Sequence, residues 1–447
     1  MRNTDKLIFR GEKMKKYDLI VVGGGFSGVA AAVSASREGM STLLVERSGS
    51  LGGAMSNSLV YPFCPYWTVD NGEVTKIVND GLFTEMRTRA YKKEHGEGDY
   101  SLAAPPISLS GGDSMLRWFS PEFFKAALDD MICESGVDVL FHTAVFSVER
   151  DSRRVNRIRA ASRRGEITAE ADYFIDATGD GELISLSGCE TLLGRESDNL
   201  TQPMTTCFRV CNVDVPLYKS ELPRLQALYK EERAEGKIKN PRENLLQFYG
   251  LGEGIVHYNT TRVVVLNPTD PVELSRAEIE ARNQVIEIFS FLKRNSKAYE
   301  RAILASVASE IGIRESRKLV GEHVLTEEEL FSECPFEDSI ALGNYDVDIH
   351  SPDGTGTRIR KFNPARYYRI PYRSLLPKEY DNLLAVGRCI SATHEAQSSV
   401  RIMPICVSTG QAAGVAVSIA AREGGNTHTL NVKKLQARLT ELGAAVF

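Results

Sequence analysis

The chain has 447 residues, of which 42% are hydrophobic and 25% charged, an ordinary globular composition that excludes intrinsic disorder and fibrous repeats. This length predicts two or three domains and a core large enough to need no disulfide staples. With 54 basic and 59 acidic residues the net charge is −5, so no cationic excess is available to hold a nucleic-acid backbone.

The eight cysteines include no C-x-x-C pair, and no Cys/His group has zinc spacing, so no metal centre is expected and the thiols read as buried and reduced. The amino terminus MRNTDKLIFRGEKMKKYD carries basic residues without a signal-length apolar run, and Met14 is a candidate natural start. The most apolar stretch, 405–421, is interrupted by Ser408, Thr409, Gln411 and Ser418, which suits a helix packed on a sheet rather than one in lipid. The expectation is a cytoplasmic protein with no membrane partner.

In chain order, the apolar run 19–22 reads as a strand buried on both faces, 27–38 as a small-residue helix stopped by Gly39, and 41–46 as a second buried strand. Residues 52–120 are rich in turns and aromatics, including YPFCPYW and APPISLSGGD, without clean periodicity. A helix is predicted over 120–136, with Ser120 as N-cap, Pro121 in the first turn and Gly136 as stop. Alternating runs over 137–175 predict an antiparallel meander. Residues 201–374 predict a second, mixed domain with a strand in TTRVVVL, helices at 277–292 and 297–311, and a solvated helix in LTEEELFSE (325–333). The pattern then returns to a buried strand at 381–387 and a long small-residue helix from about 403. The predicted class is α/β. A discontinuous Rossmann-like domain (15–60, 120–200, 375–447) would carry a parallel sheet and the meander, with an inserted α+β substrate domain (61–119, 201–374).

Three segments share one form: DLIVVGGG (18–25), DYFIDATG (172–179) and DNLLAVG (381–387) each run from an aspartate through apolar residues to glycine. In open α/β sheets, ligands bind beyond the carboxyl ends of the strands, so three such ends predict one long ligand across one sheet. Gly23, Gly25 and Gly28 form G-x-G-x-x-G at the first strand–helix turn, where glycines permit a tight turn, close approach of a pyrophosphate and close helix packing. Glu46, ending the second strand, is placed to accept from a ribose 2′-hydroxyl and to repel a 2′-phosphate, which disfavours NADP. That half-site fits NAD and FAD alike. The two remote glycine-ended strands, and LGGAMS with Gly52 and Gly53 directly after the adenosine strand, favour the longer FAD.

Together, VVGGGFSG, LLVER, LGG, DATGDGEL and NLLAVGRCISATHEAQSSVRIMPICVSTGQAAG resemble the FAD-dependent oxidoreductases with a glutathione-reductase-like FAD domain. The likeness is greatest to a bacterial group bordering the fumarate reductase and succinate dehydrogenase flavoproteins. The resemblance implies that Gly23, Gly25, Phe26 and Ser27 cradle the pyrophosphate and that Glu46 and Arg47 hold the adenosine. It further implies that Gly52, Gly53, Ala54 and Met55 flank the ribityl chain and ring, that Ser56 lies near N5, and that Val145 offers backbone to the adenine. Ala177, Thr178, Gly179 and Gly387 would pass the pyrophosphate. Arg388 stands where many relatives carry an aspartate, and the helix starting at Met403, Pro404 and Ile405 would aim N–H groups at flavin N1/O2, where reduced flavin is negative.

In the fumarate reductase relatives an arginine at the place of Arg401 contacts a substrate carboxylate, but their histidine four residues earlier is Gln397 here, which disfavours a fumarate-type mechanism. His394 and Glu395 are the proton-handling candidates, His394 because imidazole titrates near neutrality. Arg314, Glu315 and Arg317 are either substrate ligands or a structural ion-pair network, and Gln202 is a candidate to face the flavin. A second G-x-G-x-x-G is missing, since GLGEG (250–254) has the wrong spacing, so a separate nicotinamide domain is disfavoured. The expected function is hydride transfer between a small polar organic substrate and flavin N5, with an electron acceptor that the residues do not identify and homo-oligomerisation left open. The second reading is a flavoprotein electron-transfer subunit or an FAD-dependent scaffold of a larger complex.

Overall fold

The computed structural model describes residues 16–98 and 119–447; the segment before Met14 and the APPISLSGGD stretch lie outside the described residues. Its centre is a sheet in which β1 (Tyr17–Val22) pairs in parallel with β2 (Thr42–Val45) on one side and with the end of strand Gly165–Asp176 on the other. Asp138–Leu140 extends the parallel part beyond β2, and Leu383–Ala385 extends it beyond Asp176. Strand Gly165–Asp176 serves two partners: its second half joins the parallel sheet, and its first half forms a meander with Arg154–Ser162 and Ala144–Asp151. The stretch 138–140 thus belongs to the parallel sheet rather than to the meander in which the alternating pattern had placed it.

Strand periodicity divides the core in two. Leu19, Val21, Leu44, Ile175 and Leu384 face one side of the sheet, and Ile20, Val22, Leu43, Val45, Phe174 and Leu383 face the other. The first side is covered by α1 (Phe26–Arg37), helix Pro121–Ser135 and helix Met403–Glu423, the second by Val155, Ile158 and Ala169 of the meander. Helix Met403–Glu423 is long and apolar enough to cross a membrane, yet 94% of its apolar window is buried inside the protein. It lies on α1 at backbone distance: a Cβ on Gly410 would stand 2.1 Å from Ser27 O, and one on Gly414 2.3 Å from Ala31 O. Pro121–Ser135 ends at Gly136 in the left-handed region (φ 78°) as predicted, while the Ser120 side chain makes no capping bond.

The inserted part is built on an antiparallel sheet ordered Gln247–Phe248, Val256–Tyr258, Phe208–Cys211 and Ile303–Val307. One face packs Phe208, Val210 and Tyr258 against helices Val215–Ala234 and Pro271–Asn295. Pro271–Asn295 contains the predicted helix 277–292 and starts earlier because the Asp270 side chain caps the amides of Val272 and Glu273. The predicted helix 297–311 does not exist: Lys297–Tyr299 is a 3-10 turn and Ile303–Val307 a strand. An alternating sequence beside an open strand edge prefers the ladder with Phe208–Cys211. TTRVVVL forms no strand beyond the single bridge Val263–Met204; Thr260 and Thr261 tie it to Leu246 and Thr206 instead. In the acidic segment, helix Glu327–Phe331 has a capping box between Thr326 and Glu329. Glu327, expected in solvent, is buried at 6% exposure against Arg358 and Arg360.

Because Gly410 meets main chain rather than a movable side chain, Gly410→Ala must separate the two helices. It is expected to destabilise by about 3 kcal/mol, the upper range for forced overpacking, and an unchanged denaturation midpoint would refute that contact.

Candidate functional site

The carboxyl ends of the three glycine-terminated strands lie side by side, with the two loops beyond them meeting at backbone distance. Gly23 (φ 104°) abuts the next strand so closely that a Cβ would fall 2.4 Å from Ala177 O, and a Cβ on Gly28 would fall 1.8 Å from Gly23 O. Gly387 (φ 72°) is seated against Ser27, with its N–H donated to Thr409 Oγ1 at 3.1 Å. Gly25 differs. Its φ of −67° suits any residue, and a Cβ there would meet only Gly53 Cα, at 3.9 Å. Neither backbone strain nor packing within the chain calls for that glycine, whereas a pyrophosphate lying on the first turn of α1 does.

Two buried carboxylates shape the loops. Glu46 Oε2 accepts from Gly24 N at 2.5 Å and Oε1 from Ser48 N at 2.7 Å, so this side chain sets the turn between β1 and α1. The meander is stitched on here, since Thr143 N donates to Glu46 O, which brings Val145 to the same end. Asp176, fully buried, accepts from Thr178 N, Thr178 Oγ1 and Ile184 N at 2.7 to 2.9 Å and so holds the Ala177–Thr178–Gly179 turn. Arg47 pairs with Glu310 at 2.9 Å, linking the turn to the inserted part. Arg388 pairs with Asp180 at 2.8 Å, and its guanidinium fills the space beside Gly179.

Against Gly25, Gly52 (φ 104°) and Gly53 (φ 54°) lead into the short helix Ala54–Asn57. Met55 is buried there, and the Ser56 hydroxyl is donated to Leu51 O, closing the turn. Helix Met403–Glu423 begins after Ile402 with no side-chain cap and with Pro404 in its first turn, so the leading amides have no helical partners. The residues therefore fit a dinucleotide flavin: a glycine cradle, an acidic adenosine end and an uncapped helix N-terminus.

Beside this end, Arg314 and Arg242 from the inserted part meet Arg401, which precedes helix Met403–Glu423. Arg401 donates to the carbonyls of Arg314 and Asp348 at 3.1 and 3.2 Å. Arg314 donates to Pro203 O, Thr205 Oγ1 and Asn259 Oδ1. Neutral acceptors thus hold both guanidinium groups. Burial, together with the charges of Arg401 and Arg242, pushes Arg314 down to about 9. Burial would raise the Asp348 carboxyl, yet His350, Arg401 and Arg314 hold it well below the ordinary range. Burial and the same arginines push the His350 imidazole down to about 3. Gln202 and Gln397 lie alongside, Gln202 Oε1 accepting from His350 N and Gln397 Nε2 donating to Arg314 O. Cys64 is partly buried near Tyr345, Asp348 and Arg401, and desolvation pushes its thiol up to about 12.

His394 and Glu315 belong together. His394 Nδ1 stands 2.9 Å from Glu315 Oε1; Glu315 also receives Lys318 Nζ and, at 3.0 Å, Gln202 N. Glu315 is therefore a structural anchor in a buried network, while Arg314 next to it faces the arginine group. Arg317 lies in strand Arg317–Leu319, paired with Thr191–Leu193. Glu395, partly exposed, follows His394 in helix His394–Val400.

Residues 18–439 match the family described as FAD dependent oxidoreductases, and the chain belongs to that family. It is an enzyme with FAD as cofactor. The chain is 51% identical to the NADH:fumarate oxidoreductase of Klebsiella pneumoniae (strain 342) over 37% of its own length and 20% of that protein, so it matches about a fifth of that relative. A geranylgeranyl bacteriochlorophyll reductase-like protein from Thermoplasma acidophilum is similar with TM-score 0.47 and 14% identity, covering 96% of this chain and 84% of that one. OxyS anhydrotetracycline hydroxylase from Streptomyces rimosus follows with TM-score 0.45 and 13% identity, covering 95% and 65%.

The sequence reading missed Asp176, Asp180, Arg242, Asp348 and His350. The two aspartates stand inside or beside the DATGDGEL motif and were legible from it; Arg242 lies in a loop and Asp348 and His350 in the short strand Val347–His350, none with a local signal. Near Asp180, burial pushes the Glu182 carboxyl up to about 7, with Asp180 adding and Arg47 opposing. The folded chain thus holds this proton more tightly than the unfolded one, and the associated stability is full below 4.5 and lost as pH rises through about 7. Glu182→Gln is expected to flatten that part of the pH–stability curve; curves that stay parallel to the parent's would rule Glu182 out.

Proposed function

We propose that this enzyme transfers a hydride between an organic acid and flavin N5, with Arg401 and Arg314 gripping the acid's carboxylate. FAD, when bound, supplies a two-electron acceptor or donor. The carrying observation is the state of the guanidinium groups beside the glycine cradle: among the described residues Arg314 and Arg401 donate to neutral acceptors, while Asp348 acts on Arg314, Arg401 and Arg242 through space, joined by Glu315 at Arg401 and Glu243 at Arg242. A desolvated cation without a direct ion-pair partner is unfavourable, and an anionic ligand removes that cost.

Arg401, fixed by two backbone carbonyls, orients the carboxylate, and its planar fork suits bidentate recognition. Gln397, where the fumarate reductase relatives have histidine, is committed to Arg314 O and Gln202, so proton handling falls to another group. The Glu315 carboxylate holds His394 Nδ1, which leaves Nε2 as the atom that exchanges a proton. The small-molecule substrate and the cytoplasmic location remain parts of this reading.

Arg401→Ala is expected to lower kcat/KM for an acid that reduces or reoxidises the flavin by about a hundredfold or more, the loss of one buried charge-assisted contact. Flavin content should be unchanged. Parent-like kinetics in anaerobic single-turnover measurements would overturn the role.

A further inference from the structure

The antiparallel sheet of the inserted part has a second face. Phe208 and Tyr258 stack at 4.9 Å and point into the helical core, so their strand neighbours Arg209 and His257, directly opposite each other in register, project the other way. His257 has no exposed surface, and neither of its ring nitrogens has a hydrogen-bond partner. Nε and Nη2 of Arg209 are likewise buried and unpartnered. The imidazole is flanked by the rings of Tyr61 at 5.4 Å and Phe248 at 6.2 Å, which fix its plane. Glu122 is the carboxylate whose charge reaches Arg209 most strongly.

Folded chains pair nearly all buried polar groups, so two facing side chains with four unpaired nitrogens are arranged for a partner that the described residues do not supply. The arginine group meets the same run of chain: Arg314 donates to Thr205 Oγ1, four residues before Arg209. The buried Cys207, two residues before Arg209, is pushed up to about 11 by burial while the charges of Arg314, Arg209 and Arg242 all act against that rise.

Resting on the reading that Arg401 and Arg314 hold a carboxylate, we infer that Arg209 and His257 form a second recognition point farther along the segment that Arg314 contacts at Thr205. They bind an acceptor-rich group at the end of the organic acid remote from Arg401. The ligand class is an acid with a second carboxylate, phosphate or oxo function, and the pair are positioning residues that set substrate length and polarity.

The test uses the FAD-loaded protein with butyrate and succinate as probes, read by perturbation of flavin absorbance, alongside the thermal midpoint without acid. Wild type is expected to bind succinate about tenfold tighter than butyrate. Arg209→Met and His257→Phe should bring the two acids level, leave butyrate binding as it was, and hold or raise the midpoint, because each removes an unpaired buried polar group. His257→Gln, which keeps an N–H donor, should retain most of the preference. A preference that survives Arg209→Met, or a midpoint that falls steeply, would show a structural role and overturn the inference. Equal binding of both acids by wild type overturns it as well and leaves the Arg401 reading standing. Unaltered binding of both acids by Arg401→Ala sinks that earlier reading alone, and a wild type indifferent to both acids sinks the two together.

Discussion

The architecture depends on one contact: main chain against main chain where Gly23 meets Ala177 and Gly28 meets Gly23. No side chain fits at either point. Their absence lets β1, α1 and the end of strand Gly165–Asp176 draw together until the loops beyond three strands share one rim. Gly410 and Gly414 apply the same rule on the opposite side of α1 and press the last long helix onto it. That helix then begins beside the crevice with its leading amides uncapped, so the packing of small residues also aims a partial positive charge.

Around this glycine-lined rim the buried acids act as carpentry. Glu46 and Asp176 each spend both oxygens on backbone or hydroxyl donors, fixing the turns that follow β2 and strand Gly165–Asp176. Glu315 does the same for His394 and Lys318. Arg314 and Arg242 of the inserted part and Arg401 of the carboxyl-terminal segment contribute the reverse, guanidinium groups of which those of Arg314 and Arg401 donate to neutral acceptors. A cofactor crevice tiled with glycine thus stands next to a group of cations drawn from both parts of the chain.

Much of this was legible in residues close together. The βαβ unit, the G-x-G-x-x-G turn and Glu46 lie within 30 residues, and their periodicity and spacing carry their meaning. The helix 297–311 failed for a nonlocal reason: its propensity was overruled by the free edge of Phe208–Cys211, a partner about 95 residues away. Glu327 was read as solvated because its ion-pair partners, Arg358 and Arg360, come from a distant hairpin. Arg242, Asp348 and His350 carried no pattern at all.

What the sequence by itself determined was the set of positions where a side chain is forbidden and the alternation that buries each strand, because steric exclusion and hydrophobic period act over a few residues. Only the tertiary structure decided which charges face one another: that Arg388 meets Asp180, that His394 is held by Glu315, and that Arg401 is bonded to the Arg314 main chain. Charge compensation is a property of neighbours in space, and folding chooses those neighbours from opposite ends of the chain.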